Sequence, residues 1–549
     1  MTLYTLLILA AVVVTLCVIL NRISNKIGIP MLLGFMLLGM LFGTDGIFSI
    51  EFDNFHFTED ICTVALIFIM FYGGFGTSWK EARPVVVKAG LLASLGVVIT
   101  ALLTGLFCIY VLGMPPLFGY LVGAVLCSTD AASVFSILRS RKLGLKYNTA
   151  SLLEIESGSN DPCSYMLTAI MISIITGESA GGGIGYMIFS QLVYGAALGL
   201  VIAILSTKIM KRFGSTRSSF DELFVFAIAL LSYALPSIIG GNGYLSAYIV
   251  GIILGNSNIK DKKTLVPFFD GINGLMQVVI FFLLGLLVNP SELPSVLLPA
   301  ALIAIFMVLV ARPISILSIL TPFKSRLNQQ ALVSFVGLRG AASIVFAIMA
   351  TPAVSTIYPE EEHILFNIVF TIVLISILFQ GSFIPLVSRK LKMIDQDEDI
   401  MKTFTDYSKD SDIEFIQVDI TDKDPWKDKT VKDIPIPHDT LIAMIIRNGE
   451  AKVPSGKTKI IEGDKVIMTA KNYDDDSVIH LQERIITPES GWVGKKVFQY
   501  SPNSNEIIVL IKRGEESIIP RGNTVLKEND IMVINEIQKK PKIVNNDKV

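Results

Sequence analysis

Hydrophobic and polar positions divide the chain into two regions that meet near residue 391. Up to that point long apolar runs alternate with short polar segments, and after it the pattern is polar with short strand-like stretches. Runs of roughly 17–25 apolar residues are long enough to cross a bilayer as helices, and thirteen can be counted. They are centred near residues 11, 38, 69, 97, 127, 162, 197, 228, 250, 277, 305, 340 and 377. This pattern predicts an all-α polytopic membrane domain over residues 1–391.

Lysine and arginine occur in alternate connections between these runs. The basic connections are those near RISNK, KEARPVVVK, RSRKLGLK, KIMKRFGSTR, NIKDKK and KSRLNQQ, with SRKLK at the exit. Because basic loops stay on the cytoplasmic side, an odd number of spans places the N-terminus outside and the tail in the cytoplasm. We therefore expect a multi-pass protein of the plasma membrane.

Composition agrees with a membrane protein and excludes some other classes. The 549 residues are 52% hydrophobic and 17% charged, with a mean hydropathy of +0.61, which is too apolar for a soluble domain of this size. A formal net charge of −2 gives no sign of nucleic-acid binding. All five cysteines lie in or beside apolar runs, so no disulfide framework is expected.

Few charged residues fall at membrane depth away from the ends of the runs. They are Asp130, Glu154, Glu156, Asp161, Arg312 and Arg339. Each would cost roughly 2.5–3.5 kcal/mol at the centre of a spanning helix, so such residues are retained for pairing or for transport. The fold must hold each of them for one of these two reasons.

The fifth and twelfth runs share a local design. A charged residue is followed by small ones in both, TDAAS around Asp130 and RGAAS around Arg339. Small residues permit an unwound backbone, which membranes tolerate where it lines a polar cavity. Thirteen spans divided as six, one and six would place the two breaks in corresponding positions of inverted repeats. The sequence therefore predicts two broken, crossing helices, with close helix packing by small residues as the alternative.

The stretch EIESGSNDP, residues 154–162, places three carboxylates inside the sixth run. On a helix Ser157 and Asp161 share one face and Glu154 lies on that side, whereas Glu156 points about 140° away from Asp161. Pro162 has no N–H, which leaves the carbonyl of the preceding turn without its helical donor.

Hard monovalent cations prefer oxygen ligands, and this part of the chain supplies them. We expect a site built from the Asp161 carboxylate, the hydroxyls of Ser157 and Thr129, the side-chain amide of Asn160 and a free backbone carbonyl. Asp130 is expected to be held by Asn160 and by the helix N-termini at the breaks.

The balance of opposite charges suggests roles for most of the buried ions. Arg339 is the natural partner of Glu156, which would make a structural ion pair between the sixth and twelfth spans. Glu154 is nearer the cytoplasmic end, and its role stays uncertain. Asp161 is then left without a permanent cation, and burial disfavours its charge, so that a proton and a metal ion compete for it. A buried pair between Asp161 and Arg312 is the alternative.

These motifs resemble those of a known family. STDAAS, ESGSNDP and GLRGA occur in this order on spans five, six and twelve, as in the bacterial monovalent cation:proton antiporters of the NhaP-like branch. The resemblance implies that Asp161 binds the cation and the proton beside Asn160, with Thr129, Asp130 and Ser157 at the site and Glu156 with Arg339 as an ion pair. Members with an Asn-Asp motif are generally electroneutral. Some relatives carry an acidic residue in the third span, where this chain reads IFIMFYGGFGT.

The polar tail is a tandem repeat with an offset of 66 residues. The offset aligns Trp426 with Trp492, Arg447 with Arg513, and the sets Glu450, Pro454, Gly456, Thr458, Glu462, Asp464 and Glu516, Pro520, Gly522, Thr524, Glu528, Asp530. Identities this frequent at one spacing indicate duplication. We expect a linker over residues 392–411 and two small α+β domains over residues 412–474 and 478–540.

Each tail copy resembles the TrkA-C domain, also called the RCK C-terminal domain. In related proteins this domain binds regulatory nucleotides, so cyclic di-AMP in a cleft between two copies is one expectation and stabilisation of a homodimer is another. The glycine pattern of a dinucleotide-binding fold is missing between residues 391 and 420, so no resident cofactor such as NAD is expected. Arg447 and Arg513 could bind an anion or simply end exposed strands.

These inferences converge on a secondary antiporter that exchanges a monovalent cation for protons and is regulated by its tail. Potassium is preferred because of the TrkA-C resemblance, and sodium is the alternative. A tail-gated cation channel is the rival from a different class, although the chain has no TVGYG-like filter sequence. An enzyme is not expected, because no nucleophile, metal or cofactor motif accompanies the carboxylates.

Overall fold

The computed structural model forms two compact units, Met1–Asp410 and Ser411–Val549. It describes residues 3–27, 31–141, 143–177, 183–213, 220–257, 259, 262–358, 363–395, 413–422, 424–436, 440–447, 450–471, 481–499, 506–514, 516–518, 520 and 522–536. The first unit is helical, and the second is built of antiparallel sheets.

Twenty α-helices make up the described part of the first unit. The first ten are α1 (Leu3–Ile27), α2 (Met31–Phe42), α3 (Phe55–Gly76), α4 (Trp79–Ala82), α5 (Val86–Leu91), α6 (Val97–Tyr110), α7 (Pro116–Leu126), α8 (Ala131–Ser140), α9 (Thr149–Thr176) and α10 (Gly183–Phe213). The second ten are α11 (Phe220–Ile238), α12 (Gly243–Asn256), α13 (Lys262–Leu286), α14 (Leu293–Phe306), α15 (Arg312–Leu320), α16 (Leu327–Phe335), α17 (Ala341–Met349), α18 (Thr351–Ile357), α19 (Ile364–Ile375) and α20 (Gly381–Lys390).

Seven helices of the described chain are long and apolar enough to cross a membrane. Three of them are composite, because single π-helical turns at Leu92–Gly96, Met307–Ala311 and Ser376–Gln380 join α5 to α6, α14 to α15 and α19 to α20. Four shorter apolar segments lie at Leu7–Leu20, Met31–Phe42, Pro116–Leu126 and Gly243–Asn256. The first unit is therefore an all-α membrane domain.

Two helices are interrupted where the sequence predicted breaks. Residues 127–130 separate α7 from α8, and residues 336–340 separate α16 from α17. The two breaks touch, because the backbone N–H of Asp130 donates to the carbonyl of Leu338 at 2.8 Å. Gly340 makes this approach possible, since a Cβ atom on it would lie 2.5 Å from the Cβ of Asp130. The prediction that both helices are broken is confirmed, and the two breaks are in contact.

Glycines bring neighbouring helices into backbone contact, and two pairs illustrate this. In the α3–α12 pair, a Cβ atom on Gly251 would lie 2.2 Å from the carbonyl oxygen of Phe71. In the α2–α13 pair, a Cβ atom on Gly285 would lie 2.2 Å from the carbonyl oxygen of Met36. Both pairs therefore require glycine at the contact.

The last strand-forming residues of the first unit lie at the start of the predicted linker, residues 392–411. Strand β1 (Gly144–Leu145), after α8, pairs antiparallel with β2 (Ile394–Asp395), after α20. The described chain thus returns from its last apolar helix to the polar connection between the fifth and sixth predicted spans.

The second unit contains two four-stranded antiparallel sheets. The strands are β3 (Ile413–Asp419), β4 (Thr440–Arg447), β5 (Glu450–Lys452), β6 (Lys465–Lys471), β7 (Leu481–Ile485), β8 (Glu506–Arg513), β9 (Glu516–Ile518) and β10 (Ile531–Glu536). Their orders are β3-β6-β4-β5 and β7-β10-β8-β9, which are the same topology. An isolated bridge from Thr430 to Lys459 recurs from Lys496 to Val525, at the offset of the repeat.

The α+β prediction for the tail is wrong over the described residues. Apart from the strands, those residues form 3₁₀ turns at Val431–Asp433, Pro488–Ser490 and Val497–Gln499, and no α-helix. In the first copy Pro435 follows its turn by two residues, and proline prevents the turn from growing into a helix. Each copy is a small β domain.

Candidate functional site

Asp161 lies in α9 against the break between α7 and α8. Its side chain is 7% exposed, and its Oδ1 accepts a hydrogen bond from the hydroxyl of Ser128. Among the residues that the structure describes, no lysine or arginine forms an ion pair with Asp161. The predicted carboxylate is therefore buried and held by a neutral donor.

Three other predicted site residues surround the same break. The amide nitrogen of Asn160 donates to the hydroxyl of Thr129 at 2.6 Å, and the hydroxyl of Ser157 donates to the carbonyl of Thr129 at 2.7 Å. The side-chain oxygen of Asn160 is buried with no hydrogen-bond partner in the described chain. The structure thus brings Ser157, Asn160 and Asp161 of α9 together with Thr129.

Asp130 caps the helix after the break. The backbone N–H of Ser133 donates to its Oδ1 at 3.3 Å, and the hydroxyl of Ser133 donates to its Oδ2. This is the bonding of an N-cap residue, since Asp130 immediately precedes α8. The expectation that Asn160 holds Asp130 is wrong, because the Asn160 amide donates to Thr129 instead.

Glu156 is paired with Arg312 and not with Arg339. The Nη2 of Arg312 lies 2.6 Å from the Oε1 of Glu156, and the two side chains are 3% and 1% exposed. Gly337 makes room for this pair, since a Cβ atom on it would lie 2.6 Å from the Nε of Arg312. The predicted Glu156–Arg339 pair is therefore wrong in its partner, and the alternative pair of Arg312 with Asp161 is wrong as well.

Arg339 stabilises the end of α7. Its guanidinium donates to the carbonyls of Leu126 and Ser128, the latter at 2.6 Å. Its backbone N–H donates to the hydroxyl of Ser376 at 3.1 Å. The last carbonyls of a helix lack intrahelical donors and carry partial negative charge, which a guanidinium satisfies. Arg339 thus ties one broken helix to the end of the other.

Ser128 was missed by sequence reasoning, and Glu154 is not assigned a role. Ser128 precedes Thr129 in the STDAAS motif, so the signal was a second hydroxyl at the predicted break. Glu154 is half-buried in α9, two turns before Asp161.

The chemistry of the donor set suits a monovalent cation. One carboxylate, two serine hydroxyls, an amide oxygen and the backbone of an unwound segment are all oxygen donors, as hard cations require. Groups of three or more His, Cys, Asp or Glu that could hold a resident metal are not found among the described residues.

Broken helices that cross beside a buried carboxylate define the class of secondary transporters. The family model "Sodium/hydrogen exchanger, transmembrane" matches residues 10–390, and the chain belongs to this family. The TrkA-C domain model matches twice in the tail, over residues 415–473 and 481–534. Both resemblances found in the sequence are confirmed.

Several relatives have similar sequences over most of their length. The K(+)/H(+) antiporter NhaP of Alkalimonas amylolytica is 35% identical over 465 residues, which are 83% of this chain and 79% of that protein. The K(+)/H(+) antiporter NhaP2 of Shewanella baltica is 32% identical over 463 residues, with the same two shares.

A solved structure has a similar fold. The sodium proton antiporter MjNhaP1 of Methanocaldococcus jannaschii, solved at pH 8, matches with a TM-score of 0.63 and 24% identity. The match covers 71% of this chain and 99% of that one.

Proposed function

We propose that this protein exchanges K⁺ for protons across the bacterial plasma membrane. The observation that carries the proposal is the position of Asp161, which is buried at the crossing of two broken helices and bonded to a serine hydroxyl. A carboxylate held in a permanent ion pair could not exchange its partner for a proton or a mobile cation in each transport cycle. Asp161 can instead bind either a proton or a cation, and alternating exposure to the two sides turns that competition into exchange.

The neighbouring residues have distinct roles in this proposal. Ser128 and Ser157 supply hydroxyl oxygens, Thr129 supplies its backbone carbonyl, and Asn160 directs a buried amide oxygen that has no partner in the described structure. Asp130 caps α8 and adds negative charge beside the break. Because Asp161 is the carboxylate that binds the cargo, one proton is exchanged for one cation, and the cycle is electroneutral.

The choice of potassium rests on the relatives. The two proteins that are 35% and 32% identical are named K(+)/H(+) antiporters. A protein of Methanocaldococcus jannaschii that is 28% identical over 355 residues is named a probable Na(+)/H(+) antiporter. We therefore place K⁺ first and keep Na⁺ as the alternative cation for the same mechanism.

We further propose thirteen membrane spans with the N-terminus outside and the tail in the cytoplasm. The seven long helices and four shorter apolar segments give eleven, and α9 and the interrupted pair α16–α17 bring the number to thirteen. Glu51 and Lys80, both exposed, flank α3 and should lie on opposite sides. A membrane-impermeant maleimide added to intact cells should label Glu51→Cys but not Lys80→Cys, and the reverse pattern would overturn this topology.

The tail is proposed to regulate exchange by binding a nucleotide such as cyclic di-AMP, in a protein that acts as a homodimer. The double TrkA-C match supports this role. Arg447 and Arg513 are not offered as ligands, because each is bonded to an aspartate of its own copy. Exchange measured in proteoliposomes with and without cyclic di-AMP, and the mass of the detergent-solubilised protein by light scattering, test these two points.

Transport in sealed vesicles tests the main proposal. Purified protein in proteoliposomes with an internal pH dye should move protons when K⁺ is added outside, and a voltage-sensitive dye should stay unchanged. Addition of Na⁺ should give a smaller response at equal concentration. A K⁺-induced voltage without stoichiometric proton movement would indicate a channel and would overturn the proposal.

A further inference from the structure

Helix α12 faces the ESGSNDP motif through one tyrosine. Tyr248 is 3% exposed, and its ring lies against Gly158 of α9. A Cβ atom on Gly158 would lie 2.6 Å from Cε2 of the ring and 2.9 Å from the hydroxyl oxygen. The absence of a side chain at residue 158 therefore admits the phenol directly to the helix face three residues before Asp161.

The hydroxyl of Tyr248 ends in a polar environment without a defined hydrogen bond. Within the described chain it is buried and has no hydrogen-bond partner. Ser159 and Thr77 are polar neighbours, but neither meets the hydroxyl in hydrogen-bonding geometry. A buried hydroxyl is unfavourable when it is unpaired, so a ring that served packing alone would be better as phenylalanine.

Beside this tyrosine, α12 and the facing part of α3 offer no charged ligand for a cation. Helix α12 reads GYLSAYIVGIILGN, and the facing part of α3 reads IFIMFYGGFGT, and neither stretch contains a charged residue. The two helices are in backbone contact at Gly74, where a Cβ atom would lie 2.3 Å from the carbonyl oxygen of Tyr248. The position of Tyr248 is therefore fixed by α3 at its backbone and by Gly158 at its ring.

We propose that the Tyr248 hydroxyl is a cation ligand, which completes from α12 the oxygen set that α9 and the α7–α8 break provide. The inference rests on the proposed cation exchange and adds a residue to its site. When the cation binds at Asp161, the phenol oxygen contributes a neutral lone pair from α12 and gains a partner that it lacks in the described chain. When Asp161 is protonated instead, the neutral phenol has no charge to hold the cation, and the cation can leave the site.

Tyr248→Phe is the direct test, because it removes the hydroxyl and keeps the ring against Gly158. In proteoliposomes the KM for K⁺ should rise about tenfold, while turnover at saturating K⁺ should change by less than twofold. A role in packing alone would lower the amount of folded protein without this separation of KM from turnover.

Tyr120→Phe is the matched control. The ring of Tyr120 also lies against a glycine of a neighbouring helix, since a Cβ atom on Gly105 would be 2.6 Å from its Cδ1. Tyr120 belongs to α7, but the glycine that its ring contacts is not one of the site residues. Its KM for K⁺ should equal that of the unsubstituted protein.

A binding measurement keeps the test independent of transport. The melting temperature of detergent-solubilised protein should rise when KCl replaces choline chloride, and the rise should be smaller for Tyr248→Phe than for Tyr120→Phe, each compared with its own melting in choline. A KM within twofold of the unsubstituted protein together with an unchanged rise in melting temperature would overturn the role of Tyr248. If the unsubstituted protein exchanged no cation at all, the proposed function would fail instead.

Discussion

Buried aspartates in the membrane unit and in the tail are held in different ways. Asp464 and Asp530 of the tail each receive two hydrogen bonds from an arginine of the same copy and one from the backbone. Asp161 of the membrane unit receives one from the hydroxyl of Ser128. All three side chains are almost inaccessible to solvent, so burial does not distinguish them.

The tail pairs are repeated almost bond for bond. Arg447 donates to the two carboxylate oxygens of Asp464 at 2.7 and 2.8 Å, and Arg513 donates to those of Asp530 at 2.8 and 2.7 Å. The hydrogen bonds from Arg447 hold the pKa of the Asp464 carboxyl below its usual range. Burial alone would raise the pKa of Asp530, but the hydrogen bonds from Arg513 and the backbone outweigh it, and the pKa of this carboxyl is lowered too. A carboxylate bound in this way keeps its charge at physiological pH.

The comparison separates two uses of a buried carboxylate. A permanent guanidinium partner, as in the tail or in the Glu156–Arg312 pair, makes the carboxylate part of the structure. A neutral partner leaves the carboxylate available to a mobile ion.

Asp161→Asn should have the largest effect, with loss of cation-dependent proton movement in proteoliposomes to the level of empty vesicles. The amide has almost the same shape and can keep a hydrogen bond to Ser128, but it binds no proton in the pH range in which transport is measured. The melting temperature in choline chloride should not fall. Exchange at more than a tenth of the normal rate would show that another residue carries the proton.

Arg312→Ala should destabilise the membrane unit by roughly 3–5 kcal/mol, because Glu156 is left buried and charged without its partner. Thermal unfolding in detergent measures the loss. The double variant Arg312→Ala with Glu156→Gln should recover part of it, since the uncompensated charge is removed. Equal stability of the single variant and the original protein would show that the pair contributes nothing to folding.

Arg447→Ala should open the first tail copy locally, with a loss on the order of 1–3 kcal/mol from two charge-assisted hydrogen bonds. Hydrogen exchange of the full-length protein should become faster in β4 and β6 and stay unchanged in β8 and β10. Arg513→Ala is the internal control and should give the opposite pattern. Faster exchange in both copies from either change would contradict independent pairs.

Acid should weaken the tail, with the smallest of these effects. The folded pKa values of Asp464 and Asp530 are lowered, so their stabilisation is present above the unfolded value of about 3.9 and is lost as pH falls toward the folded values. In a Trp79→Phe background, emission from Trp426 and Trp492 reports on the tail, and it should hold steady from pH 7 to about 5. A change should begin below about pH 4. If emission changed with pH in the same way after both aspartates were replaced by asparagine, the acid sensitivity would not come from Asp464 and Asp530.

The sequence was sufficient to group the candidate residues at one helix break but not to pair the buried charges. Ser157 and Asp161 lie four residues apart on one helix, so helical spacing put these two side chains on one face, and Asn160 was added as an oxygen donor next to Asp161. Glu156 was correctly directed away from Asp161, but two arginines at membrane depth could meet it, and helical phase does not show which one packs there. The choice of Arg312 depends on the space that Gly337 leaves in three dimensions.

The tail shows the same limit at the level of secondary structure. The duplication predicted that both copies share one topology, because aligned residues with the same spacing make the same bonds. The type of the short polar segments was misjudged, since three residues of helical backbone before Pro435 are too few for an α-helix.

In the membrane unit, Tyr248 was also missed, because nothing local to GYLSAYIVG indicates that its ring meets a glycine 90 positions earlier in the chain.

The glycine contacts between helices limit which parts of the membrane unit can slide. At Gly251 and Gly285 the facing backbones touch with no side chain between them, so α3 with α12, and α2 with α13, have no room to shift along each other. Each of these pairs should move, or stay fixed, as one rigid body. Relative movement is then confined to boundaries where side chains separate the helices, and the boundary between α9 and α12 at Tyr248 is one of them.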